Sequence, residues 1–102
     1  GHDVLGRLER LITLRRDGAA APGYTQSLLR EPQRIRAKLR EEIEEVISAT
    51  TPDEVAWECA DVLYHLLVRM AAAGVGLDAV LAELRSRFKP DASAVNKQIV
   101  AP

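Results

Sequence analysis

The chain has 102 residues, enough for one domain with a modest core and short enough to favour oligomerisation. Apolar residues make up 47% and aromatics only 4%, the aliphatic balance of a helical protein, while a net charge of −1 with Lys and Arg dispersed excludes the concentrated basic surface of a nucleic-acid binder. A lone cysteine, Cys59, excludes an intrachain disulfide and reads as a buried structural thiol; with no signal peptide and no apolar run long enough to cross a membrane, a cytoplasmic protein without membrane or nucleic-acid partners is expected.

Residues 3 to 16 read as an amphipathic helix, with Val4, Leu5, Leu8, Leu11 and Ile12 at helical spacing, ending near Asp17-Gly18. Ala19 to Gly23 is a small-residue linker containing Pro22, expected to be mobile or poorly packed, and a short helix covers Thr25 to Arg30. Pro32 suits the first turn of a longer helix reaching about Ala49, whose apolar stripe is Ile35, Leu39, Ile43, Val46 and Ile47. Thr50 to Glu54 is the clearest boundary: Thr51 caps the next helix, Pro52 occupies its first position and Glu54 completes a capping box. That helix runs to Ala73 and stops at Gly74-Val75-Gly76, and Leu77 to Phe88 forms a last helix with Val80, Leu81 and Leu84 facing inward. No alternating strand pattern occurs. The expectation is a single all-α domain over 1–102, a bundle of four to five helices completed by dimerisation, with its core at about 4–88 and an irregular tail at 89–102.

Two acidic pairs carry the chemistry. Glu42 with Glu45, and Glu58 with Asp61, each have i,i+3 spacing and so present two carboxylates to one side of a helix. Projected at roughly 100° per residue, the helix from Glu54 to Ala73 is apolar nearly all round, with one narrow polar stripe of Glu54, Glu58, Asp61, His65 and Arg69. The very short connection at residues 50 and 51 makes the two helices an antiparallel hairpin. Counting outward from it brings Glu45 opposite Glu58 and Glu42 opposite Asp61, so the two pairs converge. Four carboxylates in apolar surroundings call for a cation, and hard oxygen ligands suit Mg²⁺, with Mn²⁺ a possible substitute. Glu41 and Glu44 read instead as solvated charge, and His65 alone reads as a satisfied core histidine more readily than as a ligand. Arg34 and Arg69 would meet substrate phosphates or neutralise the acidic cluster.

These residues resemble a known family. Glu42-x-x-Glu45 followed by Glu58-x-x-Asp61 is similar to the metal-binding signature of the all-α nucleoside triphosphate pyrophosphohydrolases. Within that superfamily the resemblance is to the phosphoribosyl-ATP pyrophosphohydrolases. Gly23 to Leu29 resembles their Ser-Tyr-Thr-x-x-Leu segment, Lys38 to Glu45 their Lys-x-x-Glu-Glu-x-x-Glu run, and Glu58 to Val68 their Glu-Ala-Ala-Asp-Leu-Leu-Tyr-His-Leu-Leu-Val segment. Gly23 stands where the usual residue is serine and Arg40 where it is glycine, and the tail after Arg87 is longer than in the stand-alone form. The resemblance implies Mg²⁺-dependent hydrolysis of phosphoribosyl-ATP to phosphoribosyl-AMP and pyrophosphate, the second step of histidine biosynthesis. It implies metal ligation by Glu42, Glu45, Glu58 and Asp61, and catalytic duty at Glu41, Glu42 and Glu45, with Glu41 or Glu45 taking a proton from the attacking water. Substrate contact is implied at Tyr24, Thr25, Arg34, Lys38, His65 and Arg69, in a homodimer or dimer-based assembly.

Two other readings compete. A house-cleaning pyrophosphohydrolase of the same superfamily would use the same metal chemistry on a free nucleoside triphosphate. A non-catalytic helical dimerisation module would use its carboxylates only for salt bridges.

Overall fold

A computed structural model describes residues 3–18 and 23–88, which form five helices and no strand: α1 (Val4–Arg16), α2 (Tyr24–Leu29), α3 (Pro32–Ser48), α4 (Pro52–Ala72) and α5 (Leu77–Arg87). The expectations for the 19–22 linker and the 89–102 tail lie outside the described residues. No single helix among the described residues is long and apolar enough to cross a membrane.

α3 and α4 form the hairpin that organises everything else. Pro32 and Pro52 both sit in the first turn of their helices, where a missing N–H costs nothing. Thr51 caps α4 by accepting the Glu54 backbone N–H at 3.1 Å. The Glu54 carboxylate folds back to accept the hydroxyls of Thr51 at 3.0 Å and Thr50 at 3.3 Å, rather than the Thr51 backbone N–H that a capping box uses. α1 and α2 then pack on the far half of this hairpin. Ile12 from α1, Leu28 from α2, Ile35 from α3 and Leu67, Val68 and Ala71 from α4 make the core, with Leu28 and Val68 wholly excluded from water. Burying an aliphatic side chain is worth about 1.5–3 kcal/mol, so these few residues anchor α1 and α2 to the hairpin. Arg16 of α1 adds a hydrogen bond from its guanidinium to the Ala71 carbonyl at 3.1 Å, tying α1 to the last turn of α4.

Gly74 ends α4. Its φ of +70° is the left-handed conformation that glycine adopts at least cost, and the Gly74 and Val75 N–H groups close back on the carbonyls of Ala71 and Met70. The chain therefore turns sharply, and α4 and α5 meet at 108°. This corrects the expectation for α5: Val80, Leu81 and Leu84 are each more than a third exposed, and no residue of α5 is buried. The apolar side of α5 exists, but the turn at Gly74 carries it away from the hairpin. What ties α5 down is Glu9 of α1, whose carboxylate accepts the Leu77 backbone N–H at 2.6 Å and caps the helix from across the fold.

The apolar girdle of α4 divides in the same way. Val62, Leu67, Val68 and Ala71 face inward, while Val55, Trp57, Leu63 and Leu66 lie on the surface of the single chain. The polar stripe also divides, since His65 is buried, Glu58 and Asp61 are half-buried, and Glu54 and Arg69 are exposed. Cys59, expected to be buried, is half-buried and free.

Candidate metal centre

The α3–α4 register brings Glu42 and Glu45 against Glu58 and Asp61. One oxygen from each of the four carboxylates lies within 4.8 Å of the other three. Oxygens held at about 2.1 Å from one magnesium ion stand at most ~4.2 Å apart, so only small side-chain adjustments separate this cluster from a hard-cation ligand set.

Burial and mutual repulsion dominate the electrostatics of the cluster. Glu42 is only 7% exposed, and burial first, then the charges of Glu45, Asp61 and Glu41, raise its pKa, with His65 acting in the opposite direction. The Glu58 carboxyl is pushed up to about 7, chiefly by hydrogen bonding to Glu45, then by desolvation, then by the charges of Glu45, Asp61 and Glu42. Glu42 Oε2 and Glu58 Oε2 are both shielded from solvent and have no hydrogen-bond partner. An unpaired buried carboxylate oxygen is expensive, and no Lys or Arg ion pair reaches any of the four among the described residues. The donor set therefore fits Mg²⁺ or Mn²⁺: all oxygen, anionic, convergent and otherwise uncompensated.

The basic residues stand around this centre rather than in it. Lys38 Nζ lies 3.7 Å from Glu41 Oε1, and Arg34 reaches Glu31 at 3.0 Å, both as helix-surface pairs. Glu41 thus belongs to the rim, outside the four-carboxylate group. Arg69 sits two turns beyond Asp61, ~12 Å further along α4, and is exposed.

α2 flanks the centre through consecutive residues. Tyr24, 46% exposed, bonds its hydroxyl to His65 Nε2 at 3.1 Å. Thr25 is buried and bonds through Oγ1 to the hydroxyl of Tyr64. His65 Nδ1 lies 2.9 Å from the Asp61 carbonyl oxygen. A carbonyl can only accept, so Nδ1 carries the proton, and in the neutral ring Nε2 accepts the Tyr24 hydroxyl. The sequence alone gives no bonding role to Tyr64, which lies within the Glu58 to Val68 match, or to Glu9. Tyr64 was within reach as one of only two tyrosines, adjacent to His65, whereas nothing local signals the Glu9–Leu77 link across 68 residues.

Residues 5–88 match the family model described as phosphoribosyl-ATP pyrophosphohydrolase. A protein of Caulobacter vibrioides named phosphoribosyl-ATP pyrophosphatase is 47% identical over 88 residues, spanning 83% of this chain and 82% of that protein. One of the same name from Dechloromonas aromatica is 37% identical over 90 residues, spanning 84% and 83%. A histidine biosynthesis bifunctional protein of Schizosaccharomyces pombe is 39% identical over 74 residues, which are 72% of this chain but 18% of that longer protein. No solved structure matches the chain. With a match that takes in the acidic centre and its flanking helices, and relatives of similar length at this identity, the chain belongs to the phosphoribosyl-ATP pyrophosphohydrolase family.

Proposed function

We propose that this enzyme hydrolyses phosphoribosyl-ATP to phosphoribosyl-AMP and pyrophosphate, in histidine biosynthesis, with a divalent cation held by Glu42, Glu45, Glu58 and Asp61. The observation that carries the reading is the convergence of those four carboxylates, two with solvent-shielded unpaired oxygens, in a chain of this family. When bound, Mg²⁺ or Mn²⁺ supplies the positive charge that screens the phosphate oxygens and the departing pyrophosphate. The chain's own residues do the rest. Glu41 and Glu45 are the candidates to accept a proton from the water that opens the α–β phosphoanhydride bond, Glu41 from the rim and Glu45 from within the cluster. Lys38 and Arg34, both in the first half of α3, offset phosphate charge by exchanging their present carboxylate partners for phosphate oxygens. The half-exposed Tyr24 ring borders the same side and offers a surface to the substrate.

The same proposal includes a second copy of the chain. Val55, Trp57, Leu63 and Leu66 on α4 and Val80, Leu81 and Leu84 on α5 leave too much apolar surface for a monomer of this size. A shared helical bundle covers it.

The deciding experiment incubates purified protein with phosphoribosyl-ATP and reads pyrophosphate release with Mg²⁺ and with excess chelator. Release that requires Mg²⁺ is the expected result. No release, or an equal rate in chelator, overturns the reading. A free nucleoside triphosphate turned over faster than phosphoribosyl-ATP favours the house-cleaning alternative instead.

A further inference from the structure

α2 is only six residues long, yet the side chains of its first two residues clasp two consecutive residues of α4. His65 is the centre of this clasp. It is 5% exposed, with Nδ1 donating to the Asp61 carbonyl and Nε2 paired with Tyr24. The ring also stands edge-on to Tyr64 at 4.9 Å and to Tyr24 at 6.1 Å between centroids. Both nitrogens are thus occupied and the ring is enclosed, which leaves it no free atom for a phosphate or a cation. It nonetheless stands against the acidic centre, bonded to the Asp61 carbonyl one turn back on its own helix, which packs on the α3 helix that carries Glu42.

We propose that His65 is a positioning residue: with Tyr24 it locks α2 onto the turn of α4 that carries Asp61, and it acts on the reaction through Asp61 and Glu42 rather than by touching substrate. The proposal rests on the reading of the four carboxylates as a cation centre. Its physical basis is that ligating carboxylates are held in place by the groups packed and hydrogen-bonded behind them, and loosening those groups typically costs about 10- to 100-fold in metal affinity or activity. A substrate contact at His65 predicts something else, a rise in KM with kcat preserved.

Four variants of the full chain test it: Tyr24→Phe, His65→Asn, His65→Gln, and the double variant Tyr24→Phe/His65→Asn. The Phe variant keeps the ring and loses only the hydroxyl. Asn retains a donor near Nδ1 but falls short of Tyr24, whereas Gln reaches the position of Nε2. Helical content by circular dichroism identifies variants that fold. Mn²⁺ affinity, read without substrate from the paramagnetic signal of free Mn²⁺, should weaken about tenfold in Tyr24→Phe and in His65→Asn. The double variant should be no worse than the weaker single, because both break one link, and His65→Gln should recover most of the loss. With phosphoribosyl-ATP, kcat should fall while KM holds.

Unchanged Mn²⁺ affinity in Tyr24→Phe and His65→Asn overturns the positioning role, as do losses that multiply in the double variant or a raised KM with intact kcat. A wild-type protein that binds Mn²⁺ and shows these affinity losses, but leaves phosphoribosyl-ATP intact, upholds the positioning role and overturns only the substrate reading. A wild-type protein that binds no Mn²⁺ overturns the cation reading, and this proposal with it.

Discussion

Glu58 shows how a single side chain reports on its surroundings. Its carboxyl is pushed up to about 7 from an ordinary value of 4.5, and the largest cause is the hydrogen bond to the Glu45 carboxylate beside it. The folded protein therefore holds a proton that the unfolded chain gives up. This contribution to stability is complete below pH 4.5 and is lost as pH rises towards 7. Glu42 shifts in the same direction, first from burial. In excess chelator, the melting temperature should therefore be higher at pH 5 than at pH 8, and Glu58→Gln should flatten the difference. A chelated wild type that melts higher at pH 8 would contradict the electrostatics of the cluster. Catalysis is tested at the same scale. Glu42→Gln or Asp61→Asn keeps the shape of the side chain and removes the anionic charge that a hard cation requires. Pyrophosphate release should drop by about 100-fold or more with helical content near wild type. Glu41→Gln then tests the rim base: lost turnover with Mn²⁺ affinity intact assigns the base to Glu41, whereas unchanged turnover leaves Glu45, itself one of the four proposed ligands.

At the scale of the element, the junctions between helices decide where the site residues lie. Thr51 caps α4 seven residues, about two turns, ahead of Glu58, so the cap also sets the start of the register that brings Glu58 to Glu45. Thr51→Ala should cost about 1 kcal/mol. In a domain of this length that is a fall of about 4–8 °C in melting temperature, and Thr51→Ser should restore most of it. The other end of α4 has a different logic. Gly74 turns the chain so that α5 leaves the hairpin, and the Glu9 carboxylate then holds the first N–H of α5 from α1. Glu9→Ala should release α5 ahead of the rest of the fold. Hydrogen exchange would show it as lost protection over Leu77–Arg87 with protection in α3 and α4 retained, and uniform loss across all five helices would show that Glu9 supports the whole fold instead.

For the whole molecule, the proposed assembly and the proposed cation binding are each open to a direct test. The apolar surface of α4 and α5 predicts a dimer or a dimer-based assembly, and light scattering that finds a stable monomer at micromolar concentration would refute it. A ligand that binds only the folded state stabilises it by about 2.7 kcal/mol at a hundredfold excess over Kd, so millimolar Mg²⁺ or Mn²⁺ should raise the melting temperature. The Glu58→Gln/Asp61→Asn double variant should respond little, and an equal shift in both proteins would mean that the cation acts elsewhere. The helices, the Thr51 cap of α4 and the facing of Glu42-Glu45 on Glu58-Asp61 were legible in the sequence, because helical period, proline placement and a short connection are local properties that fix which side chains share a face and a register. The direction of α5, the burial of His65 and its enclosure by Tyr24 and Tyr64, and the capping of Leu77 by Glu9 were decided only by the tertiary structure. An apolar stripe tells that a face must be covered and leaves open by what. The same pattern on α5 that read as core belongs on the surface of one chain, because the turn at Gly74 and a carboxylate 68 residues away set its course.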